Sequence, residues 1–405
     1  MALSNASGGG ALLMPTPTVL SQRAEALKPS LTLEIGARAK ALRNEGRDIC
    51  SLSAGEPDFD TPEFIVDAAR KALGDGITRY GPAAGDPELR AAVAEKLSSE
   101  NGIPTRPSQV LITNGGKQAI FNLFQVLLNP GDEVLIPAPY WLSYPDMAAL
   151  AGARSVVIAS NPEEGFRLDL SELEARITER TRLLVLNTPG NPTGRVMSRA
   201  ELEALAELVR RHPRLLVMSD EIYEFLLAEG QEHHSFAAVA PDLAERCFTV
   251  NGFAKGWAMT GWRIGYLAGD ETVIKAASAL QSQSTSNVCS FAQRGALAAL
   301  QGKRDCVIQM AESYNRRRTL LTQGLQAIEE ITLLPPQGAF YAFPQLPERI
   351  NDSMAFCRRA LDESGLAVVP GVAFGEDRCI RLSCAVSRET IGDGLNRLSQ
   401  MLQSF

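Results

Sequence analysis

From residue 109 to residue 269 the sequence keeps repeating one unit: a short apolar run, a polar or glycine-bearing end, then residues spaced as on a helix. "QVLIT" (109–113) leads through "NGG" into "KQAIFNLFQVLL", and "DEVLIPAP" (132–139) into "YWLSYPDMAALAG". "TRLLVLNTP" (181–189) precedes the amphipathic "SRAELEALAELVRRH" (198–212); "RLLVMSDEIY" (214–223), "RCFTVNG" (246–252) and "WRIGYLAG" (262–269) follow as further strands. Alternating strands and helices predict an α/β architecture with a mainly parallel sheet and crossover helices. In such sheets ligands bind beyond the carboxyl ends of the strands. Those ends carry Gly115 and Gly116, Tyr140 and Trp141, Asn187 to Asn191, Asp220 to Tyr223, and Asn251 to Lys255, so five strand ends offer the groups of one site.

The rhythm changes in the last hundred residues, where "SYNRRRTLLTQGLQAI", "GAFYAFPQL", "DSMAFCRRALDESG", "LAVVPG" and "RCIRLSCAVS" alternate helical and extended patterns. This predicts a smaller α+β domain over residues 303–405 beside a large domain over 61–302. Residues 19–60 are too few to fold alone and are expected to pack on the small domain. The glycine-rich, uncharged residues 1–18 are expected to be a disordered tail; their apolar part, "ALLM", is too short for a signal-peptide core. No stretch approaches the roughly 20 apolar residues that span a bilayer.

A formal charge of -7 without a basic run argues against nucleic acid as the main partner. The seven cysteines are scattered and contain no C-x-x-C pair, which indicates neither a zinc site nor a disulfide framework and fits a reducing cytoplasm. The three histidines, His212, His233 and His234, stand in polar surroundings and read as solvated surface groups, so no metal site is expected.

The chemistry gathers around Lys255 and Arg263 in "NGFAKGWAMTGWRIGY", two cations set among glycine, alanine and aromatic residues. Burying an unpaired charge is costly, so each implies a partner or a shifted protonation. In a pocket of low polarity near Arg263, Lys255 is expected to lose its proton more easily and act as a nucleophile toward an aldehyde cofactor, then as a proton shuttle. The strand–"NGGK"–helix sequence offers free N–H groups at a helix start to a phosphate, with Arg263 as a fixed positive charge. Asp220, directly after a buried run, suits a carboxylate that keeps a pyridine nitrogen protonated. Asn191 and Tyr223 can hydrogen-bond a ring hydroxyl, and Trp141 presents a flat face for stacking. Together these residues suit pyridoxal 5′-phosphate.

With these residues in place, the chain resembles a class I aminotransferase of the fold type I pyridoxal-phosphate family. The matching stretches are "KPSLTLEI", "SAGEPDFDTPE", "RYGPAAGDPELR", "TNGGKQA", "PAPYWLSYP", "NTPGNPTG", "SDEIY", "NGFAKGWAMTGWRIGYLAG", "GAFY" and "IRLSCAVS", in the family's order over residues 20–405. The resemblance implies the three-layer αβα fold of these transferases. It makes Lys255 the lysine linked to the cofactor aldehyde and Asp220 the partner of the pyridine nitrogen. Asn191 and Tyr223 go to the ring hydroxyl, Trp141 to the ring face, and Gly115, Gly116, Lys117 and Arg263 to the phosphate end. Tyr80 matches a tyrosine that reaches the phosphate of the neighbouring subunit, implying a homodimer. Arg381 matches the arginine that grips the substrate α-carboxylate in a two-pronged contact, and Gly55 a backbone contact to the same group. Many members carry a serine three residues before the lysine; here that position is Gly252.

"KPSLTLEI" and "GGKQA" resemble the prokaryotic-type aspartate/prephenate branch, in which Thr32 and Lys117 match contacts to the distal carboxylate of the substrate. The implied activity is amino transfer between aspartate or glutamate and 2-oxo acids. The alternatives are prephenate as the main acceptor or a pyridoxal-phosphate lyase on the same fold. A regulator built on the fold is the remaining rival, and residues 1–18 are too short to supply its DNA-binding segment.

Overall fold

The structure is a computed structural model, and it describes residues 19–27 and 31–404. A two-residue strand, β1 (Cys50–Ser51), precedes seven strands of the central sheet: β2 (Val110–Thr113), β3 (Glu133–Pro137), β4 (Arg154–Ile158), β5 (Thr181–Asn187), β6 (Leu216–Asp220), β7 (Cys247–Gly252) and β8 (Gly265–Ala268). Four short strands follow, β9 (Tyr341–Ala342), β10 (Leu366–Ala367), β11 (Val369–Pro370) and β12 (Ile380–Ser383).

The central sheet has the order β2-β8-β7-β6-β5-β3-β4. The pairs from β7 through β4 are parallel, while β8 runs antiparallel to both β2 and β7. The six strands other than β8 therefore share one direction, and β2, β3, β5, β6 and β7 deliver their carboxyl ends to one edge. The sheet is buried on both faces, which is why its strands read as apolar runs rather than alternations. In β5, Leu184 and Leu186 join one core cluster and Leu183 and Val185 the other, as the period of two requires.

Helices cover both faces. The one over Arg199–Arg211 starts at a capping box in which Ser198 accepts from the Glu201 N–H and Glu201 accepts from the Ser198 N–H, so "SRAE" sets its first turn. Strand β4 is absent from the sequence reading: "RSVVI" lies at the sheet edge with part of its surface open, and its apolar signal is correspondingly short.

The C-terminal segment builds a separate core around Tyr314, Phe340, Tyr341 and Leu382. Cys50 and Leu52 belong to that core, and β1 pairs in parallel with β10. Residues 1–18, read as a tail, lie outside the described residues. Among the described residues no helix is long and apolar enough to cross a membrane, and no cluster of His, Cys, Asp or Glu could hold a metal.

Candidate active site

At the carboxyl edge of the sheet lies a cavity of about 540 Å³. Gly55, Gly116, Lys117, Trp141, Asn191, Asp220, Tyr223, Lys255, Arg263 and Arg381 all line it, contributed by loops separated by more than 300 residues of chain.

Lys255 follows β7, and its Nζ donates to the Gly55 carbonyl at 2.5 Å and lies over the rings of Tyr223 and Phe340. Burial pulls its pKa down to about 8, aided by the positive charges of Arg381 and then Arg263 and opposed by Glu56 and Asp220. Burial and Arg263 thus act in the expected direction, and Arg381 adds a larger push than Arg263.

Asp220 ends β6 and is buried. Its Oδ2 accepts from the Tyr144 hydroxyl at 2.7 Å and its Oδ1 from the Ile222 N–H at 3.3 Å. Burial pushes its pKa up to about 6, although both hydrogen bonds favour the carboxylate. No salt bridge engages it among the described residues. A carboxylate held in this way is poised for a cation supplied by a ligand.

Beside it the Tyr223 hydroxyl meets that of Tyr341 at 2.9 Å, and burial pushes the Tyr223 phenol well up. The Oδ1 of Asn191 accepts from Arg381 Nη1 at 2.9 Å, so what Asn191 has to offer a ligand is its Nδ2 donor. Trp141 is fixed edge-on against Tyr144, ring centroids 5.3 Å apart, and Lys117 Nζ lies 4.9 Å from its ring centre. Burial lowers the Lys117 pKa, and the charge of Arg263 adds to this.

The phosphate-sized end is built from backbone. Gly115, the N-cap of the helix Gly116–Leu127, has φ +80°, and a Cβ there would stand 2.7 Å from Arg263 Nη2. Arg263 itself has φ +58°, a strained value for a residue with a side chain, and its guanidinium donates to the carbonyls of Thr260 (2.9 Å) and Asn114 (3.3 Å). A helix start with unpaired N–H groups and an adjacent guanidinium is a cradle for an anion. At Gly252 a Cβ would come within 2.8 Å of Gly265 Cα and 2.9 Å of the Ile264 carbonyl, so the close pairing of β7 and β8 excludes a serine there.

Arg381, on β12, is only 3% exposed. Its Nη2 donates to the Ser53 carbonyl at 3.1 Å, its guanidinium covers Tyr341 at 4.4 Å, and its Nε is buried with no partner. A buried arginine on a cavity wall whose Nη1 and Nη2 each have one protein acceptor keeps further N–H groups for a carboxylate.

A family model for aminotransferase class I and II matches residues 47–398. The chain belongs to the class I and II aminotransferase family. Members of this class depend on pyridoxal phosphate, and the Lys255–Asp220–Arg263 arrangement has the donors such a group needs. The aminotransferase is 48% identical over 386 residues to a Thermus thermophilus protein named aspartate/prephenate aminotransferase, covering 95% of this chain and 98% of that one. It is 46% identical to a Petunia hybrida bifunctional aspartate aminotransferase and glutamate/aspartate-prephenate aminotransferase, covering 95% of this chain and 82% of that one. Among solved structures, an aspartate aminotransferase from Thermus thermophilus with maleate superimposes with a TM-score of 0.91 at 47% identity, over 95% of this chain and 100% of that one.

For two of the expected residues this cavity gives no placement. Tyr80 is 92% exposed and is not part of the cavity wall. Thr32 belongs to the helix Leu31–Asn44, but its side chain lies outside the described residues. The reading of all three histidines as solvated is also corrected. The His233 side chain is 8% exposed, with Nε2 3.1 Å from Glu221 Oε2. Conversely, the sequence reading assigned no role to Tyr144, Tyr341, Thr260 or Glu56, all of which line the cavity. The signal for Tyr144 was its place three residues after Trp141, and for Tyr341 its place in "GAFY".

Proposed function

We propose that this cavity binds pyridoxal 5′-phosphate and exchanges amino groups between aspartate or glutamate and 2-oxo acids. The observation that carries the reading is one cavity holding Lys255, the buried Asp220, and two further cations, Arg381 and Lys117, each suited to one carboxylate. Bound, the cofactor supplies an aldehyde that links to amines and a pyridine ring that withdraws electrons when protonated.

Asp220 keeps the ring nitrogen protonated, and Tyr144 holds the carboxylate in place. Tyr223 and the Asn191 amide donate to the ring hydroxyl, and Trp141 covers the ring. The helix start opened by Gly115, through the N–H at Gly116, would hold the phosphate with Arg263, since the Gly115 N–H donates to the Thr113 carbonyl at 2.8 Å. Lys255, with a pKa of about 8, is about one-tenth uncharged at pH 7 and serves as nucleophile and then as the base that moves the α-proton. Arg381 grips the α-carboxylate beside Gly55, while Lys117 and Thr32 receive the distal one.

That pair of cations favours dicarboxylic substrates, because an apolar side chain leaves an ammonium unmatched. The Thermus thermophilus structure, with the four-carbon dicarboxylate maleate, supports this. Prephenate, a 2-oxo acid with a second carboxylate, fits the same two cations, and relatives named for it support it as an acceptor. Tyr80, exposed on one chain, suits a homodimer in which it reaches the phosphate of the neighbouring site. The separate cores support the division near residues 60 and 302. The free cysteines support a reducing, cytoplasmic setting.

A substrate panel tests the assignment: aspartate and glutamate as donors, with 2-oxoglutarate, oxaloacetate, prephenate and phenylpyruvate as acceptors. Good use of alanine and phenylalanine with none of aspartate or glutamate would overturn it. Ketoacid-dependent transfer, rather than ammonia release, separates it from a lyase. Lys255→Ala should abolish turnover and the absorbance of lysine-linked cofactor.

A further inference from the structure

The segment "SDEIYE" (219–224) has two sides. Asp220 and Tyr223 line the cavity, whereas Glu221 and Glu224 do not and are 0% and 7% exposed. Two buried carboxylates three residues apart in the turn that follows Asp220 require compensation.

The carboxylate oxygens are all engaged, while on His233 the Nδ1 atom is buried with no partner among the described residues. Glu224 forms a salt bridge with Lys96, whose side chain is 3% exposed, and accepts from the Nδ2 atoms of Asn251 and Asn101, both at 2.8 Å. Glu221 accepts from Ser219 at 2.9 Å, from Ser235 at 2.6 Å, and faces His233 Nε2 at 3.1 Å. Asn101 also donates to Ser235 at 3.1 Å, joining the two halves. With His233 protonated the cluster holds two anions and two cations. With His233 neutral it holds an uncompensated negative charge.

The cluster reaches both strand ends that carry the site. Glu221 and Glu224 flank Tyr223, and Asn251, which donates to Glu224, takes the Gly252 N–H on its Oδ1 at 2.7 Å, three residues before Lys255. Apolar packing surrounds this corner, with Phe225 on Trp257 at 5.1 Å and Trp257 on Phe253 at 5.3 Å, and the charged cluster sits inside it. Burial of that kind makes any unbalanced charge in the cluster costly.

We propose that Lys96, Glu221, Glu224 and His233 are positioning residues that hold Asp220, Tyr223 and the Lys255 loop in register for the cofactor, and that the proton on His233 completes them. The inference rests on the cofactor roles given above for Asp220 and Lys255. Burial opposes that proton, but the Glu221 carboxylate, with Glu224 behind it, outweighs burial and raises the His233 pKa above 6.5. Lys96 acts against it; the other titratable groups facing the two carboxylates are Tyr266 and Cys247, both neutral because burial raises their pKa values, and Asp220, whose own carboxyl is raised to about 6 by burial with Glu221 adding to the rise. A raised histidine pKa stabilises the folded cluster fully below pH 6.5, and this contribution is lost as pH rises through the folded value.

The test is release of pyridoxal phosphate from holoenzyme, followed by absorbance after rapid desalting, between pH 6 and 9. Wild type should release cofactor faster above a step that lies higher than pH 6.5. His233→Gln should release it about tenfold faster than wild type below that step and lose the step, keeping only the pH dependence that Asp220, near 6, and Lys255, near 8, give to every variant. Adding Glu221→Gln, which removes the matching negative charge, should bring release to within about threefold of wild type below the step while remaining without one. Thermal unfolding of each holoenzyme at pH 6.5 accompanies the series. A purely structural role predicts that the double variant is at least as damaged as the single one, and that outcome overturns the proposal. So does a double variant whose release profile has the same steps, at the same pH, as wild type. If neither variant folds, a wild-type profile with no step above pH 6.5 overturns it alone. Asp220→Asn separates the two readings: wild-type retention in that variant sinks the cofactor assignment and this inference together, whereas weakened retention there with no rescue by Glu221→Gln sinks this inference only.

Discussion

Replacing Tyr144 with phenylalanine takes one hydroxyl from beneath the cavity and leaves the ring that packs on Trp141. Asp220 then keeps one donor, the Ile222 N–H at 3.3 Å. A hydrogen bond to a buried charged group is worth about 1.5–3 kcal/mol, which corresponds to a rise of about one to two pKa units for the Asp220 carboxyl. In the wild-type protein that carboxyl is already raised from 3.8 to about 6. A raised carboxyl binds its proton more tightly in the folded state, so its stabilising contribution is complete below pH 3.8 and is lost as pH climbs through about 6. In Tyr144→Phe the loss continues for about one to two further pH units. Urea unfolding of cofactor-free protein between pH 5 and 8.5 measures this, with Asp220→Asn as a reference without the carboxyl. The stability gap between wild type and Tyr144→Phe should be small at pH 5, where Asp220 is mostly protonated, and open to about 1.5–3 kcal/mol by pH 8. A gap that is the same at every pH would show that Tyr144 does not act on the ionised carboxylate.

Gly115→Ala forces a side chain into φ +80° and against Arg263, a strain of about 1–3 kcal/mol; equilibrium titration of cofactor-free protein should show pyridoxal phosphate affinity reduced by about tenfold, and an unchanged Kd would remove Gly115 and Arg263 from the cradle. Glu56→Gln deletes a charge that supports the protonated form of Lys255, so the pKa of that lysine should fall further below about 8; the pH profile of cofactor attachment to Lys255 should shift to lower pH, and a shift to higher pH refutes the sign. Lys117→Leu should lower kcat/KM for aspartate by about tenfold or more while sparing phenylalanine; equal losses for both would deny Lys117 a part in selecting the distal carboxylate.

Much of the site was legible because its residues stand directly after apolar runs, where β5, β6 and β7 end: Asn191, Asp220 and Lys255 need only the strand pattern and its direction to be placed together. What the sequence hid are contacts made across the fold. Tyr144 and Asp220 are 76 positions apart, and Tyr223 and Tyr341 are 118 apart, so neither pair leaves a local spacing to read. His233 was misread for the opposite reason. Its neighbours Gln231, Glu232 and His234 are polar, yet the imidazole turns inward because Glu221 is there to receive it. Strand β4 escaped notice because an edge position asks less of its residues than the centre does.

The contact of β8 with its two neighbours has an evolutionary side. Gly252 faces Gly265, and a Cβ on Gly265 would in turn stand 2.5 Å from the Gly116 N–H nitrogen and 2.6 Å from the Gly115 carbonyl carbon. Three stretches of main chain are stacked with no side chain between them, so the anion cradle is a property of all the glycines at once. A lineage with this arrangement cannot acquire the family's serine at position 252 by one substitution; β8 would have to move first, and the cradle would open as it did. The missing hydroxyl is therefore locked out by neighbouring backbone, and within this stack of main chain Arg263 is the side chain left for selection to tune.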